Sequence, residues 1–129
     1  MSFLELTHVP DRALREDVVR TSLRMNALGI NQGKSGNVSV RTDSGYLVTP
    51  TGVPYEDMAP ADVVAMQMDG KFSGNLLPSS EWRFHRDIYA ARADIRAIVH
   101  THASYATTLA CMDRGIPPFH YMLAIAGGK

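Results

Sequence analysis

The sequence predicts an α/β sandwich whose sheet is largely antiparallel. Two short β-like runs, 37–41 and 46–49, are joined by turn-forming residues at 42–45, which is a hairpin signal. Stretches in which apolar residues recur at helical spacing lie before and after these runs. Because hairpins pair antiparallel strands and helices cover the faces of a sheet, we expect these layers to form one domain, 1–129.

The amino-terminal half is predicted to begin with a helix over 11–28. Leu14, Val18 and Met25 share helical spacing in this range, and Gly29 provides a C-terminal stop. The elements that follow are strands at 37–41, 46–49 and 63–68, with an ordered, proline-containing turn at 49–54.

The carboxyl-terminal half is predicted to start with a helix from Glu81 to about residue 93, for which Ser79 or Ser80 is a natural cap. A short buried strand at 97–102, a helix at 104–112 and a break at Pro117-Pro118 follow. The apolar segment 121–126 is ambiguous between strand and helix.

Composition argues against several classes of function. The 13 basic and 13 acidic side chains cancel, so no field attracts nucleic acid. No apolar run is long enough to span a bilayer and the amino terminus lacks a signal-peptide pattern, so we expect a cytoplasmic protein without a membrane partner. The single cysteine, Cys111, excludes an internal disulfide, and we expect it to be a buried, inert thiol.

His100 and His102 form the first candidate site. Side chains two residues apart on a strand point to the same face, so we expect both imidazoles to converge on one ion while Thr101 points away. Imidazole is the commonest ligand of zinc and related metals. Two ligands do not complete a site, and the pair alone leaves a metal-binding and a structural role equally open.

Three turns rich in Gly, Ser and Thr are candidates for clamping a phosphate with neutral donors: Gly36-Asn37, Thr51-Gly52 and Ser79-Ser80. Each alone is more simply interpreted as an ordinary turn. The segment 29–35 is not a phosphate-binding P-loop, because it has three residues rather than four before its Gly-Lys pair and joins a helix to a strand.

Glu81 follows the third turn and has two interpretations. It is either a first-turn helix acid or a general base and metal-associated carboxylate. His85 lies one helical turn further on the same face, and we interpret it as structural.

These motifs together resemble the class II aldolase/adducin family. The segments that carry the resemblance are Ser-Gly-Asn-Val-Ser-Val-Arg (35–41), Thr-Pro-Thr-Gly-Val-Pro-Tyr (49–55), Pro-Ser-Ser-Glu-Trp-Arg-Phe-His (78–85), Val-His-Thr-His (99–102), His-Tyr-Met (120–122) and Ala-Gly-Gly (126–128). Any one of them is weak, but together they occur in the order and spacing of the family, and most resemble the members that act on fuculose 1-phosphate.

The resemblance implies a three-layer α/β/α sandwich with a mixed, mostly antiparallel sheet, in a chain that lacks the family's C-terminal part. It implies these site residues: Gly36, Asn37, Thr51, Gly52, Ser79 and Ser80 for the substrate phosphate; His100 and His102, approached by Glu81, for Zn²⁺; Glu81 as the catalytic acid/base; and Tyr121 as a catalytic group delivered to a neighbouring subunit of a homotetramer.

The implied activity is zinc-dependent aldol cleavage and condensation of a phosphorylated ketose, with dihydroxyacetone phosphate and an aldehyde as products. The family's third zinc histidine lies beyond residue 128, so we expect the 129-residue chain alone to bind zinc weakly and to turn over little. The alternatives are a sibling sugar-phosphate epimerase or decarboxylase, or a non-catalytic, adducin-like oligomerisation module. Retention of Glu81 with both histidines argues against a scaffold.

Overall fold

A computed structural model describes residues 10–127, so Gly128 of the last motif lies outside the described residues. The helices and strands are α1 (Arg12–Ala27), β1 (Asn37–Thr42), β2 (Gly45–Val48), β3 (Val64–Met66), β4 (Phe72–Ser73), α2 (Trp82–Ala91), β5 (Ala97–His100), α3 (Ser104–Cys111) and α4 (Met122–Ile125), with 3-10 helices at Tyr55–Asp57 and Pro60–Asp62.

The five strands form one sheet in the order β4-β3-β2-β1-β5. All four pairings between these described strands are antiparallel, which confirms the predicted, mostly antiparallel sheet. The predicted hairpin joins β1 to β2, where Thr42 is opposite Gly45. On the other side of β1, Asn37 is opposite His100 of β5. This register places the start of β1 beside the predicted metal-binding histidines.

Helix α1 covers one face of the sheet. Val18 and Met25 of α1 pack against Val38 of β1 and Leu47 of β2, and all four side chains are almost completely buried. Alternate strand residues point to this face because side chains two apart on a strand share a side. Full burial of an aliphatic side chain of this size contributes about 2 kcal/mol, so this cluster anchors α1.

Helix α2 covers the opposite face. Tyr89 of α2 packs with Tyr46 and Val48 of β2 and with Val64 and Met66 of β3. Neighbouring residues of β2 therefore belong to different clusters, as the two-residue period of a strand requires. With α1 and α2 on opposite faces, the predicted three-layer arrangement is confirmed.

Strand β5 differs from the prediction of a buried strand at 97–102. It ends at His100, and its residues alternate between exposed and half-buried, with Val99 48% exposed. The reason is its position at the edge of the sheet. The core cluster under α1 is centred on β1 and β2, so it leaves the outward side of β5 uncovered among the described residues.

Cys111 also differs from the prediction, because its thiol is exposed. None of the residues of α3 is buried, since no other element among residues 10–127 covers this helix. The ambiguous segment 121–126 contains the short helix α4, and the two-residue strand β4 was not predicted. Within residues 10–127, no helix has both the length and the apolar character needed to cross a bilayer.

The start of α2 is a further difference. Glu81 occupies the N-cap position, and no side chain caps the helix there. Ser79, a predicted cap, accepts a hydrogen bond from the Glu81 N–H at 3.3 Å instead. The Glu81 carboxylate does not cap because it is turned towards β1 and the end of β5.

Candidate metal centre

Three predicted ligands meet at the end of β5. Oε2 of Glu81 lies 3.4 Å from Nε2 of His100 and 3.9 Å from Nε2 of His102. One ligand atom from each of the three residues can be chosen so that all lie within 4.8 Å of one another. The two imidazole rings have centroids 5.0 Å apart and an interplanar angle of 70°, so they converge as predicted.

This donor set fits a divalent transition metal. Ligand atoms about 2.1 Å from one ion in tetrahedral geometry are about 3.4 Å apart, close to the Glu81–histidine separations. Two imidazole nitrogens and one carboxylate oxygen are donors that zinc accepts. The side chains remain 27% to 38% exposed, so an ion held by them would be open to a further oxygen ligand.

Two different interactions hold the two histidines in place. His100 is fixed by the pairing of β5 with β1. His102 lies beyond the strand, and its N–H donates to Oδ1 of Asn31 at 2.9 Å. Asn31 is 4% exposed and its own amide donates to Asn26, so it is a firm anchor. Sequence reasoning missed Asn31, because a polar residue in the loop after α1 carries no signal for a distant partner.

Glu81 is held by Asn37. The amide nitrogen of Asn37 donates to Oε2 of Glu81 at 2.6 Å. Asn37 is 2% exposed, and its Oδ1 is bonded to the ring of His85. The side chain of Asn37, predicted to bind phosphate, is therefore engaged with Glu81 and His85 in this structure.

The three predicted phosphate turns lie together at the same end of the sheet. The N–H of Thr51 donates to the carbonyl of Leu77 at 3.0 Å, and the N–H of Ser79 donates to Thr49 at 3.0 Å, which joins the second turn to the third. The ammonium of Lys34 donates to the carbonyl of Gly52 at 2.9 Å and joins the first turn to the second.

Gly36 and Gly52 occupy positions where a side chain would be costly. A Cβ at Gly36 would lie 2.4 Å from the carbonyl oxygen of His100, so only glycine allows the two backbones to approach. Gly52 has a φ of +75°, in the left-handed region that favours glycine. Thr51 and Ser80 are exposed, whereas Ser79 is 7% exposed.

Tyr121 is not part of this cluster. It lies at the start of α4, is 73% exposed, and its ring packs against His120 with centroids 4.5 Å apart. No hydrogen bond among the described residues connects it to Glu81 or to the paired histidines.

His85 is buried behind the cluster, at 1% exposure, which agrees with its interpretation as structural. Its ring nitrogens are bonded to Ser39 and Asn37. Burial lowers the pKa of His85 from 6.5 to about 4, with a smaller contribution in the same direction from His100. His85 is therefore neutral at physiological pH.

We expect His85 to destabilise the fold on acidification. Since its folded pKa of about 4 is below the ordinary 6.5, the unfolded chain binds more protons between these values. The stability present above pH 6.5 is then lost as the pH falls, by up to about 3 kcal/mol. His85→Gln cannot titrate, so its unfolding free energy in denaturant should depend less on pH between 7 and about 4.5. Parallel curves for the two proteins would contradict this assignment.

Comparison with known proteins identifies a family that shares this fold. The family model of the class II aldolase and adducin N-terminal domain matches residues 16–129. A solved structure of an L-fuculose 1-phosphate aldolase has a TM-score of 0.82 at 33% identity, covering 92% of this chain and 57% of that one. The sheet and helices described above are thus those of the class II aldolase fold.

Curated relatives match over almost the same residues. The 5-methylthioribulose-1-phosphate/5-deoxyribulose-1-phosphate aldolase of Rhodospirillum rubrum is 49% identical over 117 residues, which are 91% of this chain and 53% of that protein. The L-fuculose phosphate aldolase of Escherichia coli K12 is 48% identical over 116 residues, which are 90% of this chain and 54% of that protein. The chain spans about half the length of these curated relatives.

Proposed function

This chain belongs to the class II aldolase and adducin family, and on that basis we propose that its protein is a zinc-dependent aldolase acting on ketose 1-phosphates. The reaction breaks the bond between C3 and C4 of the ketose. It releases the C4 side as an aldehyde and the C1–C3 side as dihydroxyacetone phosphate, and it runs in reverse as a condensation.

The approach of Glu81 to two imidazoles carries this proposal. His100, His102 and Glu81 offer three donors of the kind zinc accepts, with separations of 3.4 and 3.9 Å between the carboxylate and the rings. Bound zinc would supply Lewis-acid stabilisation of negative charge on the substrate oxygens next to C3.

Glu81 is assigned the proton transfer. In the condensation direction its carboxylate removes a proton from C3 of dihydroxyacetone phosphate, and in the cleavage direction it returns a proton to that carbon. Asn37 holds Oε2 at 2.6 Å, so the carboxylate is oriented before substrate arrives. At 27% exposure the side chain is still accessible from solvent.

The three turns are assigned to the substrate phosphate. They lie beside the metal donors and offer hydroxyls and backbone N–H groups other than those of Thr51 and Ser79, which join the second turn to the third. Such neutral donors bind an anion without an arginine cluster. The relatives' names specify fuculose phosphate, 5-methylthioribulose 1-phosphate and 5-deoxyribulose 1-phosphate, sugars that share a phosphate but differ elsewhere. This common feature supports a ketose 1-phosphate as the substrate class.

The test uses the protein expressed from its complete reading frame. It is incubated with zinc and either fuculose 1-phosphate or 5-deoxyribulose 1-phosphate, and dihydroxyacetone phosphate is measured with a coupled reductase. We expect release from at least one sugar, loss of release with a chelator, and recovery with zinc. Zinc binding without release from either sugar would reject the aldolase and favour a sibling epimerase or decarboxylase, or an oligomerisation module.

We further assign Tyr121 to the active site of a neighbouring subunit in a homotetramer. Its 73% exposure supports this assignment. Tyr121→Phe and Glu81→Gln should each be nearly inactive, but co-refolded mixtures should recover about a quarter of the wild-type rate, since random pairing leaves that share of sites intact. Absence of recovery in mixed tetramers, isolated by differential tags, would place both groups in one chain.

A further inference from the structure

A buried row of polar side chains lies between β1 and α2, behind the metal-binding cluster. Its members are Tyr89, Ser39, His85 and Asn37, which are 2%, 0%, 1% and 2% exposed. Ser39 Oγ lies 2.7 Å from the Tyr89 hydroxyl and 2.6 Å from Nδ1 of His85. Nε2 of His85 is bonded to Oδ1 of Asn37, whose amide reaches Glu81 at 2.6 Å.

The direction of every hydrogen bond in this row follows from the Glu81 end. An ionised carboxylate only accepts, so Asn37 donates through Nδ2 and its Oδ1 must accept. His85 therefore carries its proton on Nε2 and accepts at Nδ1, because it is neutral. Ser39 then donates to His85, and its oxygen accepts from the Tyr89 hydroxyl.

We propose that Tyr89, Ser39, His85 and Asn37 form a directional hydrogen-bond chain that positions the Glu81 carboxylate towards His100 and His102. These four are positioning residues, since only Glu81 faces the metal-binding histidines His100 and His102. The inference rests on the proposed function only for the role of Glu81 as base. Its geometric part, the orientation of a metal-ligating oxygen, stands without catalysis.

The hydrogen-bond chain from Tyr89 to Glu81 has a physical reason to be rigid. An unpaired polar group at these burial levels destabilises the fold, and every buried side-chain nitrogen and oxygen among the described residues has a partner. If the direction of one hydrogen bond were reversed, two donors or two acceptors would face each other at the neighbouring bond. Partners behind a metal ligand typically change metal affinity by about 10–100-fold when removed.

Ser39→Ala tests the chain at its centre. Without the serine hydroxyl, Nδ1 of His85 loses its donor, so only Asn37 still favours the Nε2–H tautomer and the Nδ1–H form becomes accessible. ¹⁵N NMR of the metal-free protein should show His85 protonated at Nε2 in the wild type and as mixed tautomers in Ser39→Ala. Zinc affinity, measured by isothermal titration, should fall about tenfold. Tyr89→Phe, which removes only the outermost donor, should have a smaller effect on both measurements.

Ser22→Ala is the matched control. Ser22 is also 0% exposed, but its hydroxyl donates to the carbonyl of Val18 within α1, under the opposite face of the sheet. The Ser22→Ala substitution should therefore change neither the His85 tautomer nor the zinc affinity.

Three results would overturn the proposal: wild-type His85 protonated at Nδ1, a tautomer unaffected by Ser39→Ala, or a changed tautomer with unchanged zinc affinity. If both measurements respond as expected but the wild type releases no dihydroxyacetone phosphate, the proposed function fails and the positioning chain stands.

Discussion

Glu81→Gln is expected to slow exchange of the C3 proton of dihydroxyacetone phosphate with deuterated solvent by about 10²-fold or more, because the amide cannot accept a proton at neutral pH. Glutamine has nearly the same shape, and its amide oxygen can still accept from Asn37. His100 and His102 remain, so zinc binding should weaken but persist. Proton exchange isolates the step assigned to Glu81, since it needs no aldehyde.

Glu56→Gln is the control for this experiment. Glu56 is an exposed carboxylate in the first 3-10 helix, so neutralising it should leave exchange within about twofold of the wild type. Exchange that proceeds at the wild-type rate in Glu81→Gln, with zinc bound, would show that another group removes the proton.

His102→Ala is expected to remove metal and activity together. Two donors remain after the substitution, and the loss of a direct ligand should exceed the roughly 10²-fold affinity loss caused by removing an outer partner. Isothermal titration with zinc, alongside dihydroxyacetone phosphate release, measures both effects. The backbone anchor to Asn31 uses the N–H of His102 and is retained in alanine, so the loop should keep its conformation.

His120→Ala is the matched histidine control for metal binding. His120 is exposed, and its Nδ1 accepts from the N–H of Met122 at 3.2 Å, within the segment that leads into α4. This variant should bind zinc as the wild type does. Equal zinc affinity in His102→Ala and the wild type would mean that the metal lies elsewhere or that Glu81 and His100 suffice.

The local elements were predictable because their signals are local. Apolar spacing and Gly29 predicted α1 over 11–28, and the structure has it at Arg12–Ala27. The turn residues 42–45 predicted the β1–β2 hairpin, which pairs as expected. The convergence of His100 and His102 was predicted from the two-residue period of a strand, although the strand itself ends at His100.

Burial was less predictable, because it depends on what packs against an element. The sequence predicts burial of the strand at 97–102 and of Cys111. The strand instead alternates between exposed and half-buried residues because it lies at the edge of the sheet, and Cys111 is exposed because no other described element covers α3. Strand β1 shows the same dependence on packing. Its alternation of Asn37 and Ser39 with valines is typical of a strand with one solvent-facing side, yet α2 covers that side.

The sequence by itself determined most of the helices and strands, the mostly antiparallel sheet, the candidate ligands and the family resemblance, because periodicity, turn chemistry and motif spacing are local properties of the sequence. Only the tertiary structure decided that Glu81 faces the imidazoles instead of capping α2, that Asn31 anchors His102, and which buried groups stand behind the carboxylate. The hydrogen bonds of Asn37 to Glu81 and of His102 to Asn31 join residues 44 and 71 positions apart. Hydrogen bonds between such distant groups depend on how the layers pack, and no local pattern specifies that.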